Sequence, residues 1–220
     1  MKVKYALGAA AGVAALMGAA PSLAADAQAY QPLGKGTLMV DVGVSAVVPD
    51  ANDTMFTAAG ADTGLKAQVS DAVMPTLGFT YFVTDQISVE AILTATQHDA
   101  FAVGGGSSTK VHSTWVPPPV ATVKFHPFPK ARLSPYVGAG GNLMLYFAVQ
   151  DYNGFRVRLK DEFGYAFQAG ADIAIVGPWS LKIDAKKVFT TTKATINNGA
   201  LYSHVHLNPW VVSLGAGRKF

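Results

Sequence analysis

Residues 163–175, Phe163-Gly164-Tyr165-Ala166-Phe167-Gln168-Ala169-Gly170-Ala171-Asp172-Ile173-Ala174-Ile175, place an apolar side chain at every odd position and a small or polar one at every even position. A period of two is the signature of an extended strand with one face in each of two environments. Seven other segments repeat the pattern: Thr37–Val48, Val73–Val83, Ile87–Thr94, Thr114–Phe125, Tyr136–Phe147, the stretch around Leu181 and Ile183, and Trp210–Phe220. Each is close to the ~9–11 residues that a tilted strand needs to cross a bilayer.

The connectors between these segments run long, short, long, short, long, short, long. A soluble sandwich also alternates, but its outer faces are polar and its connectors do not sort into two length classes. A closed antiparallel sheet is one of two structures that cross lipid with every backbone group paired. The expected fold is therefore all-β: an eight-stranded antiparallel transmembrane β-barrel with short periplasmic turns and long extracellular loops.

Composition agrees. Half the residues are hydrophobic and only 14% are charged, which is too apolar for a soluble chain with so little helical patterning. No stretch after the N-terminal segment approaches the ~18 apolar residues of a spanning helix. Zero cysteines excludes disulfides and thiolate metal sites.

Residues 1–25 read as a cleaved signal peptide: Lys2 and Lys4, a short apolar run from Ala6 to Leu16, then Ser22-Leu23-Ala24. The run is too short for a retained anchor, and residues 26–220 form the expected barrel domain. Cleavage removes two lysines and no acids, so the formal charge drops from +3 to +1. Nothing in the remainder points to nucleic acid, because no Lys/Arg cluster is interleaved with aromatics.

With both termini in the periplasm, the alternation fixes the height of every side chain. Outward Tyr81, Phe125, Trp179 and Phe220 fall at the lower edge; outward Trp115, Phe147, Phe163, Phe189 and Trp210 fall at the upper edge. Two aromatic belts are what both membrane–water interfaces favour.

The segments Leu77–Asp85, Ser134–Gly140, Leu207-Asn208-Pro209-Trp210 and Gly215–Phe220, with Val116-Pro117-Pro118 between them, run in order along the chain. Together they resemble the outer membrane protein W (OmpW) family. The resemblance implies location in a bacterial outer membrane and a role in moving small hydrophobic molecules across it. It also implies contact with outer-membrane lipid and lipopolysaccharide, and with the barrel-assembly machinery through the strand ending at Phe220. The family usually carries an aromatic at the third position from the end; here that residue is Arg218, which bears on assembly more than on fold.

Eight strands enclose only enough room for side chains, so a water-filled general porin is excluded. The inward face divides by height. Val47, Ile92, Val116, Val120, Met144, Tyr146, Val188 and Val211 lie toward the outside as candidate ligand-lining residues. Asp41, Glu90, Lys124, Asp172, Lys182 and Asp184 lie toward the periplasm as a candidate charge plug, because unpaired buried charges are costly. Pro117-Pro118-Pro119 removes three backbone donors from the ladder, which marks either a gap in the wall or the start of strand four. An apolar solute entering from above leaves sideways into lipid more easily than through charge.

No cofactor or metal is expected: His204 and His206 share a face and His112 lies in another outer loop, short of a defined ligand set. A lipid-modifying barrel enzyme is the rival class, yet Ser113 beside His112 and Ser203 beside His204 point to opposite faces of their strands. Gly104-Gly105-Gly106 marks a loop tip rather than a phosphate cradle. The remaining alternative is a surface receptor read by phage, toxin or host factors through loops Pro49–Ala72, Gln97–Ser113, Ala148–Glu162 and Thr191–Asn208, with Asp151–Lys160 forming a short helix or a cap. Lys187, near the upper belt, is placed to meet lipid phosphate or to snorkel.

Overall fold

The computed structural model describes residues 29–220, so the signal-peptide reading of residues 1–25 lies outside the described residues. In chain order the strands are β1 (Leu38–Val48), β2 (Asn52–Thr57), β3 (Asp62–Val69), β4 (Ala72–Phe82), β5 (Ile87–Thr94), β6 (Thr96–Gly104), β7 (Ser107–Val116) and β8 (Val120–Phe125). They continue as β9 (Leu133–Met144), β10 (Phe147–Asp151), β11 (Val157–Leu159), β12 (Glu162–Ala174), β13 (Trp179–Phe189), β14 (Thr191–Ile196), β15 (Leu201–His206) and β16 (Trp210–Lys219).

Eight of these close into a barrel in the order β1-β16-β13-β12-β9-β8-β5-β4. The first and last strands seal it, in unbroken register from Met39 opposite Lys219 to Val48 opposite Trp210. Closure removes every free edge, and the alternation then sends Met39, Asp41, Ser45 and Val47 of β1 inward and leaves Leu38 and Val48 exposed. Exposed Phe79, Val89, Val123, Val137, Phe167, Ile183, Val212 and Leu214 continue that apolar outer wall around the cylinder. The belts hold at Tyr81, Phe125, Phe220, Trp115, Phe147, Phe163 and Trp210; Trp179 and Phe189 are only half-exposed because Arg218 and Tyr165 lie over them.

The lower end is shut. His126 lies between Phe82 and Tyr136, tilted to both rings, at separations of 4.8 and 5.1 Å, and is hydrogen-bonded to Ser88 and Ser134. Residues 29–37 run beneath this layer, with the Gln31 N–H donating to the Gly177 carbonyl and the Leu33 N–H to the Pro129 carbonyl.

The upper end departs from expectation. The four long connectors are not irregular loops: they form a second eight-stranded sheet, β10-β7-β6-β3-β2-β15-β14-β11, standing on the barrel as a collar. Asp151–Lys160 is neither a helix nor a separate cap. It holds a turn at Asn153-Gly154, both at positive φ, followed by the short strand β11. The unjoined edges β10 and β11 belong to this same connector and leave a seam in the collar. Strand four, expected to run from Thr114 to Phe125, is split by the three prolines into β7 and β8.

Candidate functional site

The floor of the interior is ionic. Glu90 sits at its centre and accepts from Lys124 Nζ at 2.8 Å and Lys182 Nζ at 2.9 Å, with Lys186 Nζ at 3.1 Å from its other oxygen. Lys182 also pairs with Asp41 and Lys186 with Asp184, while the Tyr136 hydroxyl donates to Asp184 at 2.9 Å. All six residues of the expected plug are buried together here. Lys186 joins them and was missed, although it continues the Lys182, Asp184 alternation by one more step. Asp172 is the exception: it is buried in the same layer, but neither carboxylate oxygen has a hydrogen-bond partner among the described residues.

Above this floor lies a cavity of about 130 Å³. The eight expected lining residues all border it. Val120 and Val188 form its lowest apolar layer, with Ala166, Ile92 and Val211 packed against them. Val116, Met144, Val205 and Leu207 form the next. The cavity then continues into the collar, where Met55, Val111, His112, Val157 and Ile196 border it. Those collar residues were invisible to a reading that ended the strands at the membrane edge. Lys186 and the hydroxyls of Ser45 and Ser213, 2.7 Å apart, mark the transition from the apolar zone to the charged one.

The wall is interrupted at the height of this cavity. Pairing of β8 with β5 ends at Val120 opposite Ile92, and the collar ladder resumes at Val116 opposite Thr96. On the other side, pairing ends at Val120 opposite Asn142 and resumes at Trp115 opposite Phe147. Between them the Leu143 N–H donates to the Pro119 carbonyl at 3.2 Å. Pro118 borders the cavity and Pro119 is exposed on the outer surface, so the wall here is one proline run thick. Opposite it, β10 carries a bulge between Phe147 and Gln150, with Ala148 at φ 47°, a conformation that costs a non-glycine residue roughly 1–2 kcal/mol.

The histidines fall differently from expectation. His112, expected to be an exposed loop residue, is only 1% exposed; its Nδ1 lies 3.0 Å from Asp151 Oδ1, which also accepts from the Val157 N–H at 3.0 Å. That carboxylate therefore holds the seam between β10 and β11. His206 pairs with Asp53 at 2.7 Å on the exposed face, and His204 lies edge-on to Tyr202. His98 Nδ1 donates to the Ser70 carbonyl at 2.8 Å, and burial holds its imidazole below the usual range. The Ser113 hydroxyl is bound by Gln97 and the Ser203 hydroxyl by the Thr54 carbonyl, so neither serine is bonded to its neighbouring histidine. Lys187 donates to the Asn208 carbonyl at 2.6 Å and lies over the Trp210 ring.

The chain matches the OmpW family over residues 34–220. It is 31% identical over 201 residues to outer membrane protein W of Vibrio cholerae, covering 84% of this chain and 89% of that protein. In architecture it is similar to the crystal structure of the outer membrane protein OprG from Pseudomonas aeruginosa, with a TM-score of 0.81 at 24% identity over 87% of this chain and 99% of the other. It is also similar to outer membrane protein AlkL, whose structure was determined in lipid bilayers, with a TM-score of 0.67 at 23% identity over 92% and 96% of the two chains.

Proposed function

The chain belongs to the OmpW family and resides in the bacterial outer membrane, and on that premise we propose that it is a narrow channel for passive uptake of small hydrophobic molecules, with a side exit into the membrane. The observation that carries this reading is a mainly apolar cavity that ends on an ion-paired floor and lies against a break in the wall ladder.

The energetics point sideways. An apolar solute gains from leaving water for walls of Val, Ile, Leu and Met side chains. Going further down means separating buried Glu90 from its lysines, which costs several kcal/mol or so. Crossing the proline run disturbs almost no backbone pairing and ends in hydrocarbon. No residue of this route is asked to do chemistry. The signal peptide would leave after Ala25, and the assembly machinery would read the strand that ends at Phe220.

Replacing Pro117 and Pro118 with valine restores two backbone donors at the break. Uptake of an apolar fluorescent probe by cells carrying that variant is expected to fall toward the level of a deletion strain. Unchanged uptake rules out the side exit. A deletion strain that takes up the probe as well as its parent rules out transport altogether and leaves the collar as a surface receptor.

A further inference from the structure

The cavity is apolar but not without polar atoms. His112 Nε2, Tyr146 Oη and Asn142 Oδ1 are all buried, belong to residues that border it, and have no hydrogen-bond partner among the described residues. Buried polar groups are normally satisfied, and those that are not call for an explanation. His112 and Asn142 are 1% and 2% exposed, so the protein has withdrawn their side chains from bulk solvent.

The chemistry of the outermost group can be read from its partner. The Asp151 carboxylate only accepts hydrogen bonds, so the hydrogen on the His112 ring sits on Nδ1. In a neutral imidazole that leaves Nε2 as a bare lone pair. Asp151 is itself fixed by the Val157 N–H, which locks the ring in place rather than leaving it to swing. Deeper in the cavity, Asn142 Oδ1 is a second acceptor, level with the break above Val120, and the Tyr146 hydroxyl can accept or donate.

We infer that the cavity selects small apolar molecules that carry one hydrogen-bond donor, such as a hydroxyl on an aromatic ring, with His112 Nε2 as the acceptor that reads the head group at the outer end. This selectivity rests on the cavity being the route for apolar solutes proposed above. Size agrees, since an apolar cavity of about 150 Å³ accommodates benzene. A bare hydrocarbon leaves the lone pairs unmet. A carboxylate brings a charge that the apolar walls above Lys186 do not stabilise.

The test compares phenol with its near-isostere toluene. Protein carrying labelled methionine methyl groups in lipid nanodiscs is titrated with each compound, with Met55 and Met144 as reporters because both border the cavity. His112→Phe keeps the ring and removes the acceptor. Phenol affinity is expected to fall about tenfold, the value of one buried hydrogen bond, while toluene affinity is unchanged. Equal effects on both compounds, or none on either, overturn the head-group role and leave the apolar cavity standing. If neither compound moves Met55 or Met144 in the wild type, the uptake reading fails as well. Should the variant not assemble, the wild-type His112 Nε2 nitrogen resonance decides: phenol shifts it and toluene does not, and a resonance indifferent to phenol sinks the inference.

Discussion

Glu90 and Lys124 face each other at 2.8 Å inside the barrel, and neither side chain has any exposed surface. Glu90 also lies within ion-pair distance of Lys182 and Lys186, so one carboxylate serves three ammonium groups. Removing the hub is therefore expected to cost more than removing any spoke. Glu90→Gln should lower the unfolding free energy in lipid vesicles by about 3–5 kcal/mol, the range for stranding buried charges. Lys124→Met should cost clearly less, because Lys182 and Lys186 still neutralise Glu90. Denaturant titration of both variants checks the order; equal losses contradict a hub.

Glycines make room for the floor. A Cβ on Gly78 would come within 2.7 Å of Asp41 Cγ, on the carboxyl that pairs with Lys182. Gly78→Ala is expected to cost roughly 1–3 kcal/mol, as overpacking of a tight interior does. A Cβ on Gly140 would instead run into the backbone carbonyl of Ala121 and lie 2.6 Å from Thr122 Cα, neither of which can rotate away. Gly140→Ala should therefore reduce the folded, heat-modifiable band on a gel much more than Gly78→Ala does.

His98 gives the collar a pH dependence. Burial holds its imidazole below the usual value of 6.5, so between the lowered folded pKa and 6.5 the unfolded collar binds the proton that the folded one refuses. Stability must then rise with pH across that window and be lost as pH falls through it. The protection factor of the Asp99 amide, whose N–H donates to Ser70 Oγ, should fall on acidification from pH 7 to pH 5 once the intrinsic slowing of exchange is divided out. His98→Gln should flatten that trend.

Arg218 points outward at the lower belt, its guanidinium 4.9 Å from the Phe220 ring centroid and 6.0 Å from that of Trp179. It stands two residues before Phe220 on β16, the strand proposed above to be read by the assembly machinery. Arg218→Tyr is expected to speed the appearance of the folded form in a pulse–chase experiment while leaving the final stability within about 0.5 kcal/mol, the usual range for a surface change. An unaltered rate would remove Arg218 from assembly.

The eight barrel strands were legible because lipid and lumen impose opposite chemistries on alternate residues, as the run from Phe163 to Ile175 displays residue by residue. The layer of inward charge was legible for the same reason: Asp41 and Glu90 stand among uncharged inward positions of their strands, and Lys182, Asp184 and Lys186 share one inward row. The collar was not. Its strands carry polar residues on the outer face, as at Lys66, Gln68 and Lys193, so their alternation looks like that of an ordinary loop rich in polar residues. His112 was misjudged for that reason, since its burial depends on β10 and β11 closing over it from a distant connector.

Chain order alone determined the number of spanning strands, the side each residue faces and the height at which charge gives way to apolar surface, because a two-residue period and a bilayer leave no freedom in those quantities. Only the folded sheet decided who pairs with whom: that Glu90 gathers three lysines, that Asp172 has no hydrogen-bond partner among the described residues, that four connectors join into one collar, and that Pro117–Pro119 opens the ladder on both sides. Those outcomes depend on shear and register between strands far apart in sequence, and a local pattern does not encode distance across a closed cylinder.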